Sequence, residues 1–82
     1  MSISREILVQ ELGNWIEQGT IIYNNVTYNF SSYYYEHGEY VMINYGKEHE
    51  DGECDIEEVG RISGIAVKCQ QLDENTYIIE NI

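Results

Sequence analysis

The side chains most able to do chemistry in this sequence are concentrated between Lys47 and Glu58, where seven of twelve residues are acidic. Carboxylates at this density can bind a hard cation, remain solvated, or face a positively charged partner. The seven are Glu48, Glu50, Asp51, Glu53, Asp55, Glu57 and Glu58. Their spacing, and the elements that carry them, decide among these three roles.

A calcium loop is the most specific alternative, because an EF-hand assigns a residue type to each of its positions. If Lys47 occupies the first position, Gly52 falls at the sixth and Glu58 at the twelfth, as the motif requires. Lysine cannot serve as the first ligand, however, and no clear helices flank the loop. The sequence therefore predicts loose cation binding by the carboxylates and no specific calcium site.

The sequence contains no recognised motif for zinc binding or for catalysis. The His and Cys residues match no CxxC or HxxxH spacing, although a zinc site assembled in space stays open. The sequence has no GxSxG motif, phosphate-binding loop or basic clamp that would support catalysis. We therefore expect no metal, no cofactor and no enzyme activity. The His and Cys residues are His37, His49, Cys54 and Cys69.

Positive charge is scarce in this chain. Lys and Arg number 4 against 15 Asp and Glu, which gives a net charge of −11. The wealth of Ile, Asn and Tyr indicates a low-GC genome, which would also favour Lys codons, yet only Lys47 and Lys68 occur. The scarcity of Lys therefore indicates selection against positive charge in this chain. So few cations cannot hold a phosphate backbone, and the net charge is repelled by an anionic membrane, so we expect neither partner.

Length and termini predict one compact domain, residues 1–82, in the cytoplasm. The 82 residues are 43% apolar, which is normal for a globular chain. The N-terminus carries Arg5, Glu6 and Glu11 and lacks the apolar run of a secretory signal. Two cysteines are too few for a disulfide framework, so reduced thiols are expected.

Apolar spacing near the N-terminus predicts one helix from Ser2 to Gln18. Its apolar residues recur at three- and four-residue steps, and Gly19 is a plausible stop. Gly13 lowers helix propensity, so it indicates close packing against a sheet. The apolar stripe consists of Ile7, Leu8, Leu12, Trp15 and Ile16.

From Thr20 onward, the alternation of side chains predicts strands. The pair Asn24-Asn25 fits a two-residue hairpin turn, and Gly38 marks another turn. Residues 55–62 fit either a short helix, with Asp55 and Glu58 as a capping box, or an edge strand, which we favour. The whole pattern predicts an α+β fold, with a single N-terminal helix packed on an antiparallel sheet of about four to five strands.

A strand through the acidic run would give it a regular order. Alternate residues such as Glu53, Asp55 and Glu57 would then stand roughly 6.6 Å apart on one side. Phosphates along a nucleic-acid strand are separated by a distance on the order of the same value, so a carboxylate row can replace a phosphate row. Tyr34 and Tyr40 are candidates for added contact area, because tyrosine is enriched at interface hot spots.

In size, acidity and lack of catalytic motifs, the chain resembles the small phage-encoded inhibitors that mimic nucleic acid, such as anti-CRISPR proteins. This resemblance is one of class and covers no alignable stretch, so no residue role carries over. It implies a partner protein with a basic nucleic-acid-binding channel, such as a CRISPR effector. The alternatives are an immunity protein for a basic nuclease toxin and a small structural or regulatory subunit that binds through a tyrosine-bearing sheet face.

Overall fold

The structure, a computed structural model, describes residues 3–82. Strands dominate this part of the chain and form two sheets. The large sheet has the order β1-β7-β8-β2-β3, and the small sheet has the order β4-β5-β6. The strands are β1 Ile3–Leu8, β2 Gly19–Tyr23, β3 Val26–Phe30, β4 Ser32–Glu36, β5 Glu39–Glu48, β6 Cys54–Ser63, β7 Ala66–Asp73 and β8 Thr76–Asn81. Neighbouring strands are antiparallel except β2 and β8, which run parallel.

The α+β fold expected from the sequence is wrong, because the predicted N-terminal helix does not form. Ile3–Leu8 pairs with β7 instead, and only Val9–Asn14 is helical, as a 3₁₀ helix. A 3₁₀ helix repeats every three residues, so it also returns apolar side chains to one side. Val9 and Leu12 both reach the core in this way, and Ile16, which follows the helix, is also buried. Ser2, where the predicted helix begins, lies outside the described residues.

The strand and turn predictions fare better. Asn24 and Asn25 both have positive φ, 52° and 65°, and close a two-residue hairpin between β2 and β3. The turn at Gly38 forms with His37 as its other residue. The ambiguous segment 55–62 is part of strand β6, as favoured. Gly64, whose φ is 121°, breaks the extended chain and separates β6 from β7.

The hydrophobic core lies between the two sheets and under the 3₁₀ helix. Two glycines allow the closest approaches: a Cβ at Gly13 would overlap the Tyr33 ring, and one at Gly60 would lie 2.6 Å from the Tyr28 ring. The packing against a sheet that Gly13 suggested is therefore present. The core consists of Val9, Leu12, Ile16, Ile21, Tyr23, Phe30, Tyr40, Met42, Ile62, Val67, Cys69, Tyr77 and Ile79.

The hairpin of β5 and β6 extends past this core. Residues 45–58 are all exposed, and we call this segment the acidic arm. β5 has 10 residues and spans roughly 33 Å. It begins beside the Gly38 turn and ends at the arm, so these two features lie at opposite ends of the small sheet. The molecule is correspondingly elongated, with extents of 44 × 28 × 22 Å.

Candidate functional site

All seven carboxylates of the acidic run lie in the arm. The tip of the arm is a tight turn held by backbone bonds: His49 N–H donates to the Glu53 carbonyl at 2.7 Å, and Gly52 N–H donates to the His49 carbonyl at 3.0 Å. The Asp51 carboxylate accepts from Glu53 N–H at 3.1 Å. These bonds hold the tip in one conformation, so its carboxylates project from a defined backbone.

The two faces of the arm differ in chemistry. Asp55 and Glu57 alternate onto one face of β6, as the sequence predicted, whereas Glu53 precedes the first residue of the strand. The other face carries Tyr45 and Ile56, which are cross-strand partners. These side chains are 58% and 61% exposed. One face therefore offers a negative row and the other an exposed apolar pair.

Arg61 joins three strands of the small sheet, between the Gly38 turn and the arm. Its guanidinium donates to Glu39 at 3.2 Å, lies 3.7 Å from Glu36 and makes a close two-point contact with Glu58. The hydrogen bond from Arg61 lowers the pKa of the Glu58 carboxyl below its ordinary value. Glu58 therefore helps to fix the base of the arm and is less open to a partner than its acidic neighbours.

The other cations do little to offset the charge of the arm. Arg5 lies over the Trp15 ring, 5.4 Å from its centroid. Lys68 is flanked in register by Glu6 and Glu80 within the large sheet. Lys47 is the cation that belongs to the arm. The carboxylate of Asp55 also meets the His49 ring, with 2.7 Å between Oδ1 and Nε2. The remaining arm carboxylates are Glu48, Glu50, Asp51, Glu53 and Glu57.

The structure separates the two tyrosines proposed for the interface. Tyr34 lies on the outer face of the small sheet and is 40% exposed. Tyr40 is 1% exposed, and its hydroxyl donates to the Ile16 carbonyl at 2.7 Å. Burial raises the pKa of Tyr40 far above its ordinary value. Tyr40 is therefore a core residue, because its side of β5 faces the large sheet, and it cannot contribute to a binding surface.

Sequence reasoning missed Tyr45 and Ile56. Val41, Ile43 and Tyr45 lie on the side of β5 opposite Tyr40, and that side faces outward. Val41 and Ile43 are nevertheless buried, between β4 and β6, whereas Tyr45 lies beyond the core. A useful signal was the position of Tyr45 immediately before the polar run, where a long hairpin leaves the sheet.

The hydroxyl of Tyr40 should contribute measurably to stability. Tyr40→Phe removes the donor to a buried carbonyl, which we expect to lower the free energy of unfolding by about 1–3 kcal/mol. Tyr23→Phe is the matched control, since that hydroxyl donates to the Asn81 side chain in a partly solvated position. Urea unfolding followed by circular dichroism measures both changes. If both substitutions lower the free energy of unfolding equally, the buried hydrogen bond of Tyr40 contributes no more than the partly solvated one of Tyr23.

Within residues 3–82, no group of three or more His, Cys, Asp or Glu side chains is placed to hold a metal ion. Both cysteines are free thiols; Cys54 is exposed in the arm, whereas Cys69 is buried, and burial raises its pKa to about 12. None of the helical structure in the described chain is long and apolar enough to cross a membrane.

Comparisons with known proteins do not extend this description. No protein-family model matches the chain, and neither the curated proteins nor the solved structures contain a match. A function is therefore inferred from the arm and its surroundings.

Proposed function

We propose that this protein is a non-catalytic inhibitor that places its acidic arm in the positively charged nucleic-acid channel of an enzyme. The observation that carries the proposal is the projection of six carboxylates beyond the core, on a hairpin whose own cationic side chain is Lys47. A solvated face would not require the charge to be gathered on one protruding element. The six are Glu48, Glu50, Asp51, Glu53, Asp55 and Glu57.

The shape of the arm suits such a channel. Its two strands lie roughly 4.8 Å apart, and alternate residues on each strand repeat at roughly 6.6 Å. Asp55 and Glu57 thus hold carboxylates at a spacing close to that between phosphates on one strand. Cross-strand pairing, with one register shift between Tyr45 and Glu48, and the Arg61 contacts to Glu58 attach the arm to the sheet. An ordered row of charge costs less entropy to bind than a disordered tail.

A CRISPR effector is the target we favour, because its guide–target duplex lies in a long basic channel that the protein reads by shape and backbone charge. A protein that fills this channel would exclude the nucleic acid without any catalytic group. An immunity protein for a basic nuclease toxin would use the same surface. A toxin gene beside the gene for this protein would favour the immunity role.

Affinity capture tests this proposal. We expect the tagged protein, mixed with nuclease-treated bacterial lysate, to retain a nucleic-acid enzyme that elutes as salt rises and is displaced by added DNA or RNA. Charge-steered association weakens at high ionic strength, and added nucleic acid competes for the same channel. Mass spectrometry of the eluate identifies the partner. Retention that resists both salt and nucleic acid would contradict the proposal.

A second candidate function is supported by a groove at the opposite end of the small sheet. It encloses a volume of ≈ 260 Å³ and is lined by Leu8, Gln10, Tyr35, Gly38, Gly64 and Ile65. Ile65 is 83% exposed there, which is unusual for an isoleucine. A small regulatory subunit could bind its partner through this groove. Such a complex would resist salt and would survive loss of the arm carboxylates, so the capture experiment separates the two functions.

A further inference from the structure

Strand β6 ends the small sheet and leaves one of its sides unpaired. It pairs with β5 on one side, and on the other no strand of residues 3–82 pairs with it. The unpaired side is long, since β6 has 10 residues, and its first half is exposed. An exposed edge of this length presents backbone donors and acceptors that can pair with another chain.

The hydrogen bond at the tip fixes which backbone groups are presented. Glu53 accepts from His49 N–H, so its carbonyl points toward β5. Successive residues of a strand point their N–H and C=O groups to opposite sides. The groups of Asp55 and Glu57 therefore point toward β5. By the same alternation, those of Cys54, Ile56 and Glu58 point outward. These outward N–H and C=O groups form a short row that can hydrogen-bond to a further strand.

The side chains along this edge select for a particular kind of strand. A new strand beside β6 would place alternate residues next to Asp55 and Glu57 on one face. Its other residues would lie on the opposite face, beside Ile56, which is 61% exposed. On that face Tyr45 of β5 is the cross-strand neighbour of Ile56. Charge complementarity favours Lys or Arg on the first face, and burial of apolar area favours aliphatic residues on the second.

We propose that the edge of β6 over residues 54–58 binds an extended segment of the partner, in which basic and apolar residues alternate, as an additional strand of the small sheet. This rests on the proposed function in one respect, namely that the partner is a basic protein. The backbone ladder would supply affinity and fix the register, while the arm carboxylates would supply attraction at a distance. A second copy of this chain is disfavoured as the occupant, because like charges would face each other across the new pair.

A designed peptide tests the proposal on the full-length protein. The probe is a ten-residue peptide of alternating Lys and Val, compared with two versions N-methylated at every Lys or at every Val. Methylation preserves the side chains and the charge but removes the donors along one edge of the peptide. We expect one methylated version to bind at least 10-fold more weakly than the probe at equal salt. Equal binding of all three peptides would overturn the proposal, since it would show that charge alone holds the peptide.

Amide hydrogen exchange gives a second measurement on the protein itself. On binding the unmethylated peptide, the amides of Ile56 and Glu58 should exchange at least 10-fold more slowly, whereas those of Asp55 and Glu57 should change little. Protection of Ile56 and Glu58 in the peptide-free protein, together with sedimentation as a dimer, would make a second copy the occupant and overturn the proposal.

The two proposals fail separately. If the peptide protects the edge but the lysate yields no nucleic-acid enzyme, strand addition stands and the channel-blocking function fails. If an enzyme is captured, displaced by DNA or RNA, and leaves the amides of Ile56 and Glu58 unprotected, the function stands and strand addition fails.

Discussion

Replacing Glu53, Asp55 and Glu57 together by lysine should weaken binding to the basic partner by at least about 100-fold, or roughly 3 kcal/mol. The substitution turns attraction into repulsion at the part of the molecule that would enter the channel. These side chains are exposed, so the fold should tolerate the change. Isothermal titration calorimetry against the captured enzyme measures the loss, and circular dichroism checks the fold.

A matched charge control separates position from net charge. Glu11, Glu17 and Glu74 are exposed and lie outside the arm, so the triple lysine variant at these positions also changes the net charge from −11 to −5. We expect this control to bind within about 5-fold of the natural protein, since exposed charges more than about 10 Å from a contact are largely screened. If both variants lose binding equally, overall charge is responsible and the arm is not the site.

Leu12→Ala should produce the largest loss of stability, about 2–5 kcal/mol in the free energy of unfolding. Leu12 is fully buried at the 3₁₀ helix, which packs against β1, β4 and β5 and so connects the two sheets. The substitution leaves a cavity where neighbouring side chains cannot fully relax. For a domain of this size, the expected fall in Tm is about 10 °C or more, measurable by differential scanning calorimetry.

Leu72→Ala provides the same chemical change in a solvated position. Leu72 lies in β7 and is 44% exposed, so its truncation should cost less than about 1 kcal/mol. A Leu12→Ala variant that unfolds at the same temperature as Leu72→Ala would show that the 3₁₀ segment does not anchor the sheets. Because total stability is roughly 5–15 kcal/mol for a typical domain, the Leu12 variant should remain folded at low temperature.

The N-terminal segment shows why the helix prediction failed. The spacing of Val9, Leu12 and Ile16 fits an α-helix, but a 3₁₀ turn also brings Val9 and Leu12, three residues apart, to one side. An isolated helix of this length is marginal, so packing decides between the two. β7 pairs in register with all six residues of Ile3–Leu8, and the Tyr33 ring fills the space beside Gly13. Both contacts involve residues that are distant in the sequence, so the N-terminal segment alone does not predict them.

The burial of Tyr40, a candidate site residue, could not be predicted from its own segment either. The alternation of side chains along β5 puts Tyr40 and Met42 on one side and Tyr45 and Ile43 on the other. It could not tell which side faces the core, because both sides carry large apolar residues. The approach of the large sheet buries Tyr40, and the length of β5 beyond that sheet exposes Tyr45.

The sequence by itself determined the charge, the local turns at Asn24-Asn25 and Gly38, and the alternation of Asp55 and Glu57 along one face. These features depend on residue types and on the two-residue repeat of a strand, which act over short distances. Only the tertiary structure decided that the carboxylates project on an arm, that Arg61 holds Glu58 at its base, and that β6 has an unpaired edge. These features depend on where distant strands end relative to one another, which no single segment encodes.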